Sequence, residues 1–431
     1  MFAAALVGGA LAAPIAASAQ DSIPQVTLAD ALRRATRLDP DYVRALGQID
    51  NAEWGRKAAR LAFVVPALTA ELDATRYSTE FFNIGTGEPT ASSVNATLTA
   101  RYELLSVRKL TDLRATTAEL ENAQSTGMQQ RFRTAFLVES DFYGVLADQA
   151  LLTVATDRVR RAEEQLAVAR ARVISGAAVQ TDSLQLVLEV TRARIDLTRQ
   201  SAALRVAQLQ LGRRVGESGA VAAEAADTVP PAELPVTLPA AVQEALQQGP
   251  QYRAARANER AAAAVLRGRR GEYLPTLTLS GTNTTFDTRF FPKARNVSAL
   301  TLTVSLPVWD LGVREAGITA ARVDRDVSRA VREDLERGAR RDVTEAYDAY
   351  GTAQATIALS RSALAAAAEN FRVQDARYRS GATTILELLD AQISLTQAQA
   401  DLVQANYATR LALAGLEVIL GRRLFPSGGA Q

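Results

Sequence analysis

Glu387 and Asp390 stand three residues apart in the segment Tyr378-Arg379-Ser380-Gly381-Ala382-Thr383-Thr384-Ile385-Leu386-Glu387-Leu388-Leu389-Asp390. On a helix that spacing puts both carboxylates on one face. Such a pair can attract cations, act as acid and base, or simply lie solvated. The remaining composition narrows the choice. The chain contains no His and no Cys, which removes Ser-His-Asp and Cys-His constellations and the common transition-metal ligands. It also lacks a phosphate-cradling Gly-rich loop and a zincin motif. No catalytic residue, cofactor or resident metal is expected, and an enzyme ranks last among the readings.

Charge points the same way. The formal net charge is +2, and of 49 basic residues only Lys57, Lys109 and Lys293 are lysine. The arginines alternate with acids, as in Arg158-Val159-Arg160-Arg161-Ala162-Glu163-Glu164. That is the pattern of solvated helix faces rather than of a nucleic-acid patch.

The elements that position these residues begin after an apolar leader. Residues 1–19 end in Ala17-Ser18-Ala19, a signal-peptide pattern without its basic start, and the mature chain is expected to begin near Gln20. No later segment reaches the ~18 apolar residues of a membrane helix. An exported chain of this kind enters a membrane only as a barrel.

The sequence is then written twice. Thr27-Leu28-Ala29-Asp30-Ala31-Leu32 recurs 210 residues on as Thr237-Leu238-Pro239-Ala240-Ala241-Val242, and Asp39-Pro40 as Gly249-Pro250. Val65-Pro66-Ala67-Leu68-Thr69 answers Leu274-Pro275-Thr276-Leu277-Thr278. Ser175-Gly176-Ala177 answers Ser380-Gly381-Ala382, and Gly212-Arg213-Arg214 answers Gly421-Arg422-Arg423. Ordered landmarks of this kind mark tandem structural repeats. We divide the chain into a first repeat at 20–215, a linker at 216–239, a second repeat at 240–424 and a tail at 425–431.

Each repeat reads as a helix, two strands and two long helices. Strands are expected near 67–80, 91–105, 276–288 and 297–308, where apolar and polar residues alternate as in Leu300-Thr301-Leu302-Thr303-Val304-Ser305-Leu306. Turn-rich segments join each pair, at Asn83 to Pro89 and at Phe291-Pro292-Lys293. Long helices are expected at 107–174, 179–212, 312–379 and 383–420, because no proline occurs between Pro89 and Pro230 or between Pro307 and Pro426. At ~1.5 Å per residue a helix from Val107 to Ile174 is about 100 Å long and must project from any compact domain.

The last helix carries two heptad seams. Leu386, Leu389, Ile393, Thr396, Ala400, Val403 and Tyr407 form one; Leu388, Ala391, Leu395, Ala398, Leu402 and Ala405 form the other. Leu184, Leu188 and Ile195 against Leu186, Val190 and Ala193 repeat the scheme. A helix striped on two nearly opposite sides packs on both, like a stave in a cylinder wall. Four strands cannot close a conducting barrel, which takes more than ~8.

This ordered set resembles the TolC-like outer-membrane efflux and secretion family, through the Thr-Leu-x-x-Ala starts with Pro40 and Pro250, the strand entries at Pro66 and Pro275, and Leu306-Pro307-Val308-Trp309-Asp310-Leu311-Gly312. The resemblance implies a mainly α chain with a membrane β-barrel part. It implies a homotrimer whose twelve strands form one barrel, continued by a periplasmic α-helical barrel, in the outer membrane of a Gram-negative bacterium. It implies a passive exit duct for a tripartite efflux pump or type I secretion system, with a periplasmic adaptor and an inner-membrane transporter as partners. The linker would lie at the equator. Glu387 and Asp390 match acidic rings at the periplasmic entrance, and Thr181, Asp182 and Tyr378 match residues that hold neighbouring helices together. Ser175, Gly176, Ala177, Ser380, Gly381 and Ala382 would be hairpin tips for adaptor contact. Thr383 stands where some members carry a gate-locking arginine. The competing reading is a soluble periplasmic coiled-coil scaffold.

Overall fold

The computed structural model describes residues 23–84, 87–224, 233–287 and 295–425. The leader at 1–19, the turn residues Gly85 and Thr86, the turn at Phe291-Pro292-Lys293, strand residue 288 and most of the tail lie outside them. In chain order the elements are β1 (Gln25–Val26), α1 (Leu28–Leu38), α2 (Pro40–Leu61), β2 (Ala67–Asn83), β3 (Glu88–Leu105), α3 (Val107–Ile174) and α4 (Gln180–Val215). Then follow β4 (Ala222–Ala223), α5 (Leu238–Gln248), α6 (Pro250–Gly271), β5 (Thr276–Asp287), β6 (Arg295–Ser305), α7 (Val313–Ser380) and α8 (Ile385–Leu420). Helices of 11, 22, 68 and 36 residues recur in the same order in both repeats. None is long and apolar enough to cross a membrane.

The expected opening helix of each repeat is in fact two. Asp39 adopts an extended conformation, ends α1 with its own N–H on Ala35 O, and caps α2 by accepting from Tyr42 N at 2.8 Å. Pro40 at the first position of α2 has no N–H to continue the preceding helix. Gly249-Pro250 breaks the second repeat at the same place, with Gly249 N–H on Ala245 O but no side-chain cap.

One antiparallel sheet takes the order β2-β3-β5-β6, so the two hairpins join through β3 and β5 and leave β2 and β6 as edges. The register puts Leu72, Ala96 and Thr285 in one row, Leu68, Ala100, Gly281 and Leu300 in another, and Leu279 beside Leu302. One face thus gathers Leu68, Leu72, Leu98, Leu279, Leu300 and Leu302, and the other Thr69, Glu71, Asp73, Thr97, Thr99, Thr301 and Thr303. β2 runs to Asn83 and β3 starts at Glu88, beyond the expected 80 and 91, after a register shift between Arg76 and Phe81. β6 ends at Ser305, just before Pro307, which cannot donate to a ladder.

Packing follows two neighbour orders. Away from the sheet, α4 lies on α3, α3 on α8 and α8 on α7; nearer the sheet the order is α2, α3, α6, α7. The Leu388, Ala391, Leu395, Ala398 and Ala405 seam of α8 is buried. Its opposite seam is only partly covered, and Leu386 and Ile393 stay more than half exposed. On α4, Leu186, Val190 and Ala193 are buried while Leu184, Leu188 and Ile195 face outward.

Midway along the long helices each repeat builds its own core. One gathers Val26, Ala31, Ala35, Val138, Phe142 and Leu211; the other gathers Tyr252, Val343, Tyr350, Leu416 and Leu420. The expected linker is not wholly a loop. Val221 is fully buried in the first core, and β4 pairs parallel with β1, Gln25 with Ala222 and Val26 with Ala223.

α3 ties both repeat ends together. Arg214 pairs with Asp141, and its repeat equivalent Arg423 reaches Glu139 and Glu417, each at 2.6 Å. Leu424 N–H also donates to Glu417, at 2.8 Å. Glu139 and Glu417 are almost wholly buried, and Arg410 and Tyr143 complete the charged surroundings. Burial raises the Glu139 carboxyl above its ordinary value, Arg423 pulls it back, and Glu417 adds to the rise. The fold therefore favours protonated Glu139. The stability this contributes is full below the ordinary carboxylate range and is lost as pH rises through the raised value. Thermal unfolding of Glu139→Gln should show a midpoint at neutral pH no lower than the parent's. It should also show a flatter decline between mildly acidic and neutral pH.

Candidate functional site

Each helical hairpin turns at a tip built the same way twice. Ala177 N and Ala382 N donate to Arg172 O and Arg377 O, each at 2.8 Å. Ser175 Oγ and Ser380 Oγ donate to the same carbonyls, each at 3.0 Å. Arg172 Nη2 reaches Ala177 O and Arg377 Nη2 reaches Ala382 O, each at 3.2 Å. Gly176 (φ 73°) and Gly381 (φ 82°) take the left-handed conformation that side chains resist. Ser175, Gly176, Ala177, Ser380, Gly381 and Ala382 are all exposed, so both tips offer backbone and small side chains to solvent.

Beyond the second tip, Thr384 caps α8, its Oγ accepting from Glu387 N at 3.4 Å. Thr383 Oγ donates to the Glu387 carboxylate. Thr383 therefore holds the acid in place. Glu387 lies in the first turn of α8, where the helix dipole favours an anion. Glu387 and Asp390 both project into solvent, on the side of α8 away from the buried Leu388. Asp182, the repeat equivalent of Glu387, occupies the first turn of α4, with exposed Thr181 beside it.

Tyr378 points inward. It is 2% exposed in a small core with Ala169, Leu186, Ile385 and Leu388. Burial pushes its phenol up, and the neighbouring Asp182 carboxylate pushes it further. Asp182 and Tyr378 thus meet across the two hairpins, whereas Glu387, Asp390 and Thr181 lie on open surface. Among the described residues no group of His, Cys, Asp or Glu could hold a metal.

Sequence reasoning passed over Arg172. Its guanidinium stacks 4.8 Å above the Tyr378 ring and donates to Tyr378 O, joining the end of α3 to the end of α7. The signal was present, since Arg172 and Arg377 stand at the same place before each Ser-Gly-Ala. Charged hydrogen bonds of this kind contribute roughly 1.5–3 kcal/mol. Arg172→Ala should speed amide exchange in residues 378–385 by about tenfold, the factor that ~1.4 kcal/mol carries. Arg377→Ala, which braces only its own tip, should leave exchange in residues 174–180 near the parent rate.

Known proteins resemble this chain in sequence and in fold. The chain is 26% identical over 405 residues to the toluene efflux pump outer membrane protein TtgC of Pseudomonas putida, covering 91% of this chain and 79% of that one. It is 27% identical over 311 residues to the cobalt-zinc-cadmium resistance protein CzcC of Cupriavidus metallidurans, covering 71% of each. The crystal structure of a membrane protein from Pseudomonas aeruginosa superposes with a TM-score of 0.78 over 97% of both chains at 21% identity. A model of the outer membrane efflux protein family matches residues 31–217 and 241–422, both repeats almost end to end. The soluble-scaffold reading falls with that match: the chain belongs to the outer membrane efflux protein family, and is an outer-membrane efflux channel.

Proposed function

We propose that three copies of the chain form a continuous exit duct, a twelve-stranded barrel in the outer membrane prolonged by a helical cylinder into the periplasm. The observation that carries this reading is an agreement of open flanks. On one flank the chain offers the unpaired strand β2 and the outermost helices α2 and α4; on the other it offers β6 and α7. The two flanks differ, so copies meet head to tail and a ring is the closed solution. The uncovered Leu184, Leu188 and Ile195 of α4, with Val323, Val327 and Val331 of α7, give both flanks apolar surface to bury.

Transport through such a duct is passive. Cargo is selected by an inner-membrane transporter, and a periplasmic adaptor docks on the exposed tips around Gly176 and Gly381. The names of the Pseudomonas putida relatives favour an efflux pump over a type I secretion system. They do not select a cargo, because one relative is named for toluene and another for cobalt, zinc and cadmium.

Glu387 and Asp390 line the entrance. Threefold symmetry brings six carboxylates around one mouth, an arrangement that concentrates cations. Divalent or trivalent cations added on the periplasmic side of a bilayer should block single-channel current of the parent. Glu387→Gln/Asp390→Asn should abolish the block and leave the oligomer intact, since both side chains are solvent-facing. Block that persists in the double variant would move the filter elsewhere.

A further inference from the structure

On β6 the apolar face of the sheet is short for a membrane. There it runs from Leu300 to Leu306, whereas on β2 it runs from Leu68 to Ala74 and resumes beyond Arg76 at Phe81, which pairs with Thr90. Seven strand residues rise roughly 20 Å along the strand, or about 15 Å along the membrane normal at the usual tilt, against a lipid-facing band of about 25 Å in outer-membrane barrels. At the extracellular end of β5 and β6 the same face turns polar. Asn283 Nδ2 donates to Asn296 Oδ1 at 2.7 Å and to Ser298 Oγ at 2.9 Å, and Arg76 follows Ala74 on β2. On β6 the further apolar height lies at the other end, below the sheet.

That end carries the loop between β6 and α7. Val308 is 85% exposed, Trp309 76% and Leu311 84%. A loop with such side chains in water would be unfavourable, yet this one is firmly built. Asp310 Oδ2 accepts from Arg314 N at 3.2 Å and from Arg314 Nε at 2.9 Å. The Arg314 guanidinium is almost buried and stacks 4.5 Å above the Tyr273 ring. Leu311 is the one non-glycine with positive φ (61°) among the described residues, followed by Gly312 at 83°. A leucine in the left-handed region is a conformation that side chains resist. The polar side chains of the loop are turned inward and held, while the apolar ones are turned outward. Val64, Val65 and Leu274, beside the inner ends of β2 and β5, extend the same exposed apolar level.

We propose that the loop Leu306 to Gly312 is a membrane foot. It lies in the inner leaflet of the outer membrane and completes the lipid-facing band, with Trp309 at the boundary between acyl chains and headgroups. Its occupant is phospholipid. The loop continues the leucine face of β6 beyond the point where Pro307 ends the ladder, and an indole with one polar edge suits that depth. In a trimer this places three indoles around the duct. The foot would fix the channel's height in the membrane, and so the depth at which the tips are presented in the periplasm.

The inference rests on the sheet being a membrane barrel, and the test separates the two. The chain has only two tryptophans, Trp54 and Trp309, so Trp54→Phe leaves Trp309 as the sole reporter. The full-length channel is reconstituted into phosphatidylcholine vesicles brominated near the carbonyl end of the acyl chains. Trp309 should emit to the blue of free indole, lose more than half its intensity to the bromines, and be quenched little by aqueous acrylamide. Leu302→Trp in a Trp54→Phe/Trp309→Phe background reports on the barrel face itself. Quenching by lipid at position 302 but not at 309 would overturn the foot and spare the barrel. No quenching at 302 would sink the barrel reading beneath both. Trp309 shielded from lipid and acrylamide alike would put the loop between copies of the chain, and acrylamide access without lipid quenching would put it in water; either result contradicts the proposal.

Discussion

A sheet edge cannot be left open in hydrocarbon. Each unpaired N–H or C=O there costs several kcal/mol, with no water to satisfy it. This chain makes a four-stranded sheet with a leucine face and two free edges, β2 and β6. The rest of the architecture is consistent with that one constraint. The helices that follow the strands inherit their order, so the flank that ends in β2 also ends in α2 and α4, and the flank that ends in β6 ends in α7. Sheet and helices ask for the same neighbour on the same side.

The duplication is what lets one chain supply so much wall. Two repeats with helices of equal length lie side by side, joined by β3 against β5 at one end and by α3 against α8 along the cylinder. Arg214 and Arg423, the same residue of each repeat, dock two residues apart on α3, at Asp141 and at Glu139. The equivalence is not complete. Arg214 meets one carboxylate, whereas Arg423 serves two buried ones. A similar asymmetry marks the tips, where Arg172 crosses to the other hairpin and Arg377 stays on its own.

The large features were legible in residue order because each has a period or a break. Absence of proline over more than a hundred residues gave the long helices, and alternation gave strands in the right places with ends a few residues out. What sequence missed was local or relational. Pro40 and Pro250 were used as repeat markers and not as helix starts, so α1 and α2 were read as one. Ala222–Ala223 is a strand only because β1 lies beside it, and two residues carry no period. Which of two heptad seams is covered depends on the neighbouring helix, so Leu388 and Leu386 look alike in sequence and differ in burial. Arg172 was passed over as one arginine among 46 on mixed-charge faces. The acids Glu387 and Asp390 were found, and their threonine partner Thr383 was read only as a missing arginine.

Everything above depends on the chain closing with copies of itself, and the mass of the detergent-solubilised complex tests that most directly. Native mass spectrometry should give a single species of three chains that keeps its mass on dilution and unfolds as one unit. A folded, monodisperse single chain, or a two-chain species related by a twofold axis, would contradict the account, since neither pairs β2 of one copy with β6 of the next around a closed ring.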